Sequence, residues 1–178
     1  MRLEGDAWRE FFDGFQTSAW RLETRAVYSM PGEQEEFTSF LTTGRLDIPD
    51  DDAWLTRVRD FRASGRTIGR VHALTRPLSD YLRYEFAVYS HTSRVGEDIR
   101  IADLTDTPNP GIPNFDFWMF DEQHVVLMEY DLDGVQVGRE LLDRPDIARF
   151  IGYRDIAMGH SVPFHEYQAG LRSGVRAE

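Results

Sequence analysis

The chain has 178 residues, a formal net charge of −11, 41% apolar side chains and 13% aromatic ones, which is enough for one sizeable core and one domain. All 20 basic residues are arginine and cysteine is absent, so a Schiff-base amine, a phosphate-loop lysine, a thiolate nucleophile and a cysteine-ligated zinc are all excluded. The acidic balance repels phosphate backbones and anionic lipid, which argues against nucleic acid or membrane; an acidic surface can instead meet a basic protein surface, and solubility alone accounts for the charge at least as often.

The segment Met1–Asp6 has no basic flank leading into an apolar run, and a cytoplasmic protein is expected. Asp6 to Gln16 reads as a helix with Trp8, Phe11, Phe12 and Phe15 on one face. Ala19 to Tyr28 alternates Trp20, Leu22, Thr24, Ala26 and Tyr28 with Arg21, Glu23 and Arg25, the period of a half-buried strand. Pro31-Gly32 turns the chain. Two helices follow, Glu33 to Thr43 and Asp50 to Ser64, each ended by a glycine. The run Asp50-Asp51-Asp52 suits a cap and a first helical turn, because no loop of alternating oxygen ligands follows it.

Thr67 to Leu74 is a strand, Ser79 or a neighbour caps a helix reaching about Ser90, and Ile99 to Ala102 is a second strand, with the helix crossing between parallel strands. Leu78, Leu82, Phe86 and Tyr89 form the helix's apolar stripe, and Glu85 falls within or beside it. A carboxylate there requires a cation, and a pair with an arginine is expected. After a proline-rich loop, strands around Asn114 to Asp121, Val125 to Tyr130 and Val135 to Leu141 form an antiparallel meander. Asp131-Leu132-Asp133-Gly134 is its second turn, since the later ligands of a calcium loop are missing. Asp143 caps a helix with Pro145 in its first turn, and Ser161 and Pro163 start a last short helix.

The expected fold is therefore α/β: a central mixed sheet, with a strand-helix-strand unit and a meander, flanked by helices in a single domain over 1–178. Residues 1–65 form a helical part with one strand, and 66–178 the sheet-containing core and carboxy-terminal helices. Arg70, His72, Arg76, Glu85, Arg100 and Asp116 are candidate lining groups for a ligand pocket where the parallel strands end. The other histidines, His91, His124, His160 and His165, are scattered without metal-ligand spacing, and ordinary surface or core-edge positions suit all five. No metal, cofactor or catalytic residue is implied. A homodimer is left open by the sequence.

The segments Ser18-Ala19-Trp20-Arg21-Leu22-Glu23, Pro77-Leu78-Ser79-Asp80-Tyr81-Leu82-Arg83, Gly96-Glu97-Asp98-Ile99-Arg100, Asp116-Phe117-Trp118-Met119-Phe120-Asp121 and Val162-Pro163-Phe164 together resemble a family of uncharacterised actinobacterial proteins. Members are often encoded beside helix-turn-helix regulators. The resemblance covers nearly the whole chain and implies a regulatory or interaction role with such a regulator as partner; it supplies no catalytic residues. The order of elements is also similar to one half of a phospholipase D-like domain. With Asp121 set as that motif's aspartate, Asn114 stands at its histidine position and Asp116 at its lysine position. An amide cannot replace the nucleophilic imidazole, and a carboxylate repels the phosphate the lysine would attract, so a degenerate, non-catalytic site is implied. The alternative reading is a small-ligand sensor or hydrolase using the arginine, histidine, glutamate and aspartate pocket.

Overall fold

The computed structural model describes residues 1–174. Seven strands form one mixed sheet in the order β6-β5-β4-β1-β2-β3-β7: β1 Ser18–Glu23, β2 Thr67–Leu74, β3 Asp98–Asp103, β4 Asp116–Phe120, β5 His124–Tyr130, β6 Gln136–Leu141 and β7 Val162–Pro163. The pairs β1·β2 and β2·β3 are parallel, and every other pair is antiparallel. The expected mixed α/β sheet, crossover and meander are all present. The helices are α1 Gly5–Asp13, α2 Gln34–Thr43, α3 Ala53–Ala63, α4 Asp80–Thr92, α5 Ile147–Gly159 and α6 Phe164–Arg172.

Alternation along the strands separates the two faces of the sheet. Trp20, Leu22, Val71, Ala73, Phe117 and Met119 pack with Phe150 and Ala157 of α5 on one face. On the other, Ala19, Ile68, Trp118, Phe120 and Val126 meet Phe12 of α1, Phe15 just beyond it, and Val58 and Phe61 of α3. The apolar face read for the first helix is therefore core. Toward the β3 edge, Leu82, Phe86 and Tyr89 of α4 join Phe164 and Tyr167 of α6. Phe37 and Phe40 of α2 rest on Tyr81 and Tyr84 of α4, so α2 forms an outer layer. β2 and β3 approach so closely that a Cβ on Gly69 would lie 2.7 Å from the Asp98 carbonyl oxygen, and only glycine fits there.

Several boundaries differ from the sequence reading. β1 stops at Glu23 instead of Tyr28, because Thr24 leaves the ladder: its amide and hydroxyl both donate to Asp116 Oδ1, at 2.9 and 2.8 Å. Asp146, not Asp143, caps α5, accepting from the Arg149 amide. The last helix begins at Phe164, after Val162 and Pro163 have paired with β3. Asp52 does cap α3, accepting from the Trp54 and Leu55 amides, and Ser79 caps α4 through Leu82. In the turn Asp131–Gly134, the Asp131 carboxylate accepts from the amides of Asp133 and Val135.

Asp121 holds the turn between β4 and β5 against the start of β1. Its carboxylate accepts from the amides of Gln16, Thr17 and Ser18 at 2.7–3.0 Å, while its own φ is 54°. Burial is the largest single influence and would raise this carboxyl's pKa, but the three amides and the Thr17 hydroxyl together outweigh it and hold the group below its usual range. Asp121→Ala is expected to cost about 1–2 kcal/mol in urea melts through the lost hydrogen bonds. Because the folded pKa is depressed, the difference from wild type should persist above the unfolded value of about 3.9 and fade as pH falls through the folded one.

Candidate functional site

The strands that carry the parallel pair are charged on the helix-covered face. Arg21 and Glu23 of β1 lie in register with Arg70 and His72 of β2, so four ionisable groups share one patch at the centre of the sheet. All four are buried or nearly so, with Glu23 at 1% and His72 at 0% exposure. A carboxylate so far from water persists only with cations and donors around it. Glu23 has three such neighbours: Arg21 Nη2 is 3.1 Å from Oε1, and Arg70 Nη1 and the Tyr89 hydroxyl are 3.1 and 2.9 Å from Oε2. Burial would raise its pKa, yet the two guanidinium groups prevail and bring it down to about 2.

Arg70 is shared. Its Nε donates to Glu97 Oε1 at 2.6 Å, and Glu97 also accepts from the Trp54 indole at 3.2 Å, which ties β2 to α3 and to the turn before β3. Hydrogen-bond bookkeeping assigns the protons of His72. Nε2 is 2.8 Å from the Arg25 carbonyl, which only accepts, and Nδ1 is 2.9 Å from a Tyr89 hydroxyl whose one proton goes to Glu23. Both ring nitrogens therefore donate, and the ring is an imidazolium 3.3 Å from Glu85 Oε2. Burial would lower the His72 pKa, but the charge of Glu85 overcomes it and raises the value to about 9. Glu85 moves upward too, through burial and the nearby Glu23.

Above this floor lies a half-open cavity of about 260 Å³, bordered by α1, α3, α4 and the β5–β6 side of the sheet. Its walls are aromatic, with Trp8, Trp54, Tyr28, Tyr81, Trp118 and Tyr130 among them. Among the wall residues, Arg21 Nε, Thr92 Oγ1 and Arg139 Nε are buried without a hydrogen-bond partner among the described residues, while Glu85 Oε2 faces the His72 imidazolium.

The sequence candidates divide. Arg70 and Glu85 line the cavity. His72 and Asp116 are buried behind it, Asp116 accepting from Thr24 and from the Tyr28 hydroxyl at 2.5 Å. Arg76 and Arg100 are not part of it. Arg76 pairs with Asp103 and Asp106 at 2.9 and 2.7 Å, and Arg100 donates to Ser161, placed there because strand alternation turns it to the α5 face. The expected arginine partner of Glu85 is replaced by His72, and His72 is a core residue rather than a surface or core-edge one. The cavity lies under the helices on the sheet face instead of at the strand ends. Of the motif positions, Asn114 is exposed, Asp116 joins the network, and Asp121 caps the turn at the opposite end of β4. Arg21, Glu23, Glu97 and Arg139 were not among the candidates. The available signal was the matching Arg21/Glu23 and Arg70/His72 spacing in strands that pair at the sheet centre.

Ligand atoms of Glu23, His72 and Glu85 lie within 4.8 Å of one another, near enough for one metal ion. The donor set does not suit one. Both Glu23 oxygens are engaged by arginines, and His72 Nδ1 carries a proton. Nor does the imidazolium reach the cavity, since Glu23, Tyr89 and Glu85 cover it.

These features define a class: an α/β protein with a seven-stranded mixed sheet whose charged central face forms the floor of an aromatic cavity. The chain belongs to the family described as Domain of unknown function (DUF6879), whose model matches residues 6–169 and so spans the whole network. No curated protein matches it. No helix among the described residues is long and apolar enough to cross a membrane.

Two measurements test the network. Glu97→Ala leaves Glu23 as the single carboxylate paired with Arg70 and should cost about 1–3 kcal/mol in equilibrium unfolding; the Glu97→Ala/Arg70→Met double variant should lose less than the sum of the two single losses. The His72 pKa is raised from 6.5 to about 9, so its contribution is complete below pH 6.5 and drains away as pH climbs through 9. Urea melts between pH 6 and 9.5 should show wild type losing up to about 3 kcal/mol relative to His72→Gln.

Proposed function

We propose that the protein is a cytoplasmic, non-catalytic regulatory protein that binds a small organic molecule in the cavity and presents the bound state to a protein partner. The observation that carries this reading is an aromatic cavity whose wall holds two charged groups of opposite sign, Glu33 and Arg139, that lie in no ion pair among the described residues. A polar ligand would supply charge-assisted hydrogen bonds to them. The aromatic lining supplies contact area, and the small volume suits a metabolite.

A non-catalytic role is supported by what the cavity presents. Lysine and cysteine are absent from the chain, and the buried imidazolium, the group best suited to acid–base work, is screened from the cavity by its own counter-ions. The charge of −11 suits a basic partner surface such as that of a helix-turn-helix regulator, in keeping with the resemblance described above. α1 and α3 contribute both to the cavity wall and to the surface, which gives ligand binding a route to the exterior.

The test is a thermal-shift screen of polar and aromatic metabolites, with tryptophan fluorescence as a second readout because Trp8, Trp54 and Trp118 line the cavity. A ligand at 100 times its Kd should raise the midpoint by roughly 5–10 °C in a chain of this size. Val88→Trp, which fills the cavity from α4, should abolish that shift. A screen without a hit, or a shift that persists in Val88→Trp, would overturn the reading.

A further inference from the structure

Two charged groups of the cavity wall, Glu33 and Arg139, lie in no ion pair among the described residues, and they have opposite signs. On the α4 side, beside Glu85 with its His72 partner, the Glu33 carboxylate accepts from the Tyr81 hydroxyl at 3.0 Å. Burial raises the Glu33 pKa, and a positive charge beside its carboxylate would offset that cost. On the β1–β6 side stand Arg21, paired with Glu23, and Arg139. Arg139 has no carboxylate within 4.0 Å among the described residues; it donates to Gln136 and lies over the Trp8 ring at 5.1 Å. An aromatic wall joins the poles, with Tyr81 against Tyr28 at 5.8 Å, Tyr28 against Tyr130 at 5.1 Å, and Tyr130 bonded to Arg21.

Building on the ligand-binding role proposed above, we infer that the ligand is a zwitterion of the amino-acid class, its ammonium toward Glu33 and its carboxylate toward Arg139. A bare cation would pair with Glu33 and leave Arg139 without an anion. A bare anion would do the reverse. A molecule carrying both charges completes both pairings without adding net charge to a partly buried site, and a hydrocarbon or aromatic side chain would contact the tyrosine wall.

Calorimetric titration with the twenty standard amino acids tests this, together with 2-phenylethylamine, 3-phenylpropionate, choline and inorganic phosphate as single-charge probes. For the tightest amino acid, its decarboxylated amine and its deaminated acid complete a matched set. The expected result is an amino acid that binds at least tenfold more tightly than either matched analogue. Glu33→Gln should erase its advantage over the acid, and Arg139→Gln its advantage over the amine. Melting curves confirm folding of the variants, and Arg139→Gln decides alone if Glu33→Gln does not fold. If a single-charge probe binds as well as any amino acid, the zwitterion assignment falls while the cavity role stands. If no probe binds, the zwitterion assignment also falls, and the metabolite screen with Val88→Trp decides the cavity role separately.

Discussion

Glu23 sits in the central strand of the sheet, beneath a layer of helices, with almost no access to water. Its ionised carboxylate has to be compensated by groups brought to it from other elements, and much of the arrangement follows from that need. Arg21 comes from the same strand, Arg70 from the parallel neighbour, and Tyr89 from the crossover helix. Each of these then requires a partner of its own. Arg70 recruits Glu97, which recruits Trp54 of α3, and His72 takes Glu85 of α4. The network thus fixes how α3 and α4 sit over the sheet with directional bonds, where purely apolar packing would tolerate sliding.

The same constraint explains why a cavity exists. The helices above the sheet carry large rings: Trp8 and Phe12 on α1, Trp54 on α3, Tyr81 and Tyr84 on α4. Over an apolar sheet face, rings of this size would close down to the density of an ordinary core. Here the floor is charged, and the rings stand around it instead of entering it. Arg21 lies against Tyr28 and Trp118, and Arg57 against Trp54 and Phe12, so the walls hold cations over aromatic faces. Space remains where packing is incomplete, and Glu33 and Arg139 border it. Family membership extends over this entire region, which places the cavity within the common domain and outside any appended element.

The order of elements was legible in the amino-acid pattern because it depends on local rules. Alternating residues, glycine stops, Ser79 and Asp52 as caps and the Asp131 turn each act within a few positions. Boundaries failed where a distant side chain intervened, as when Asp116 captured the backbone of Thr24 and ended β1 early. Half of the site was visible for a similar reason. A glutamate on the apolar stripe of a crossover helix and an arginine–histidine pair on the preceding strand are local anomalies, and Glu85, Arg70 and His72 stood out. Arg21 and Glu23 did not, because alternating charged residues on a strand look the same whether that face meets water or is covered.

The chain by itself determined the chemistry that is excluded, through its missing lysines and cysteines, and the succession of strands and helices that folds into a mixed sheet. Tertiary structure alone decided that β1 and β2 run side by side at the centre, that α1, α3 and α4 cover their charged face, and that His72 meets Glu85 while Arg100 is turned to the opposite side. The physical reason is that burial and pairing are properties of long-range neighbours. A side chain's charge is written in its own residue, but the dielectric around it and the partner that answers it come from elements many positions away.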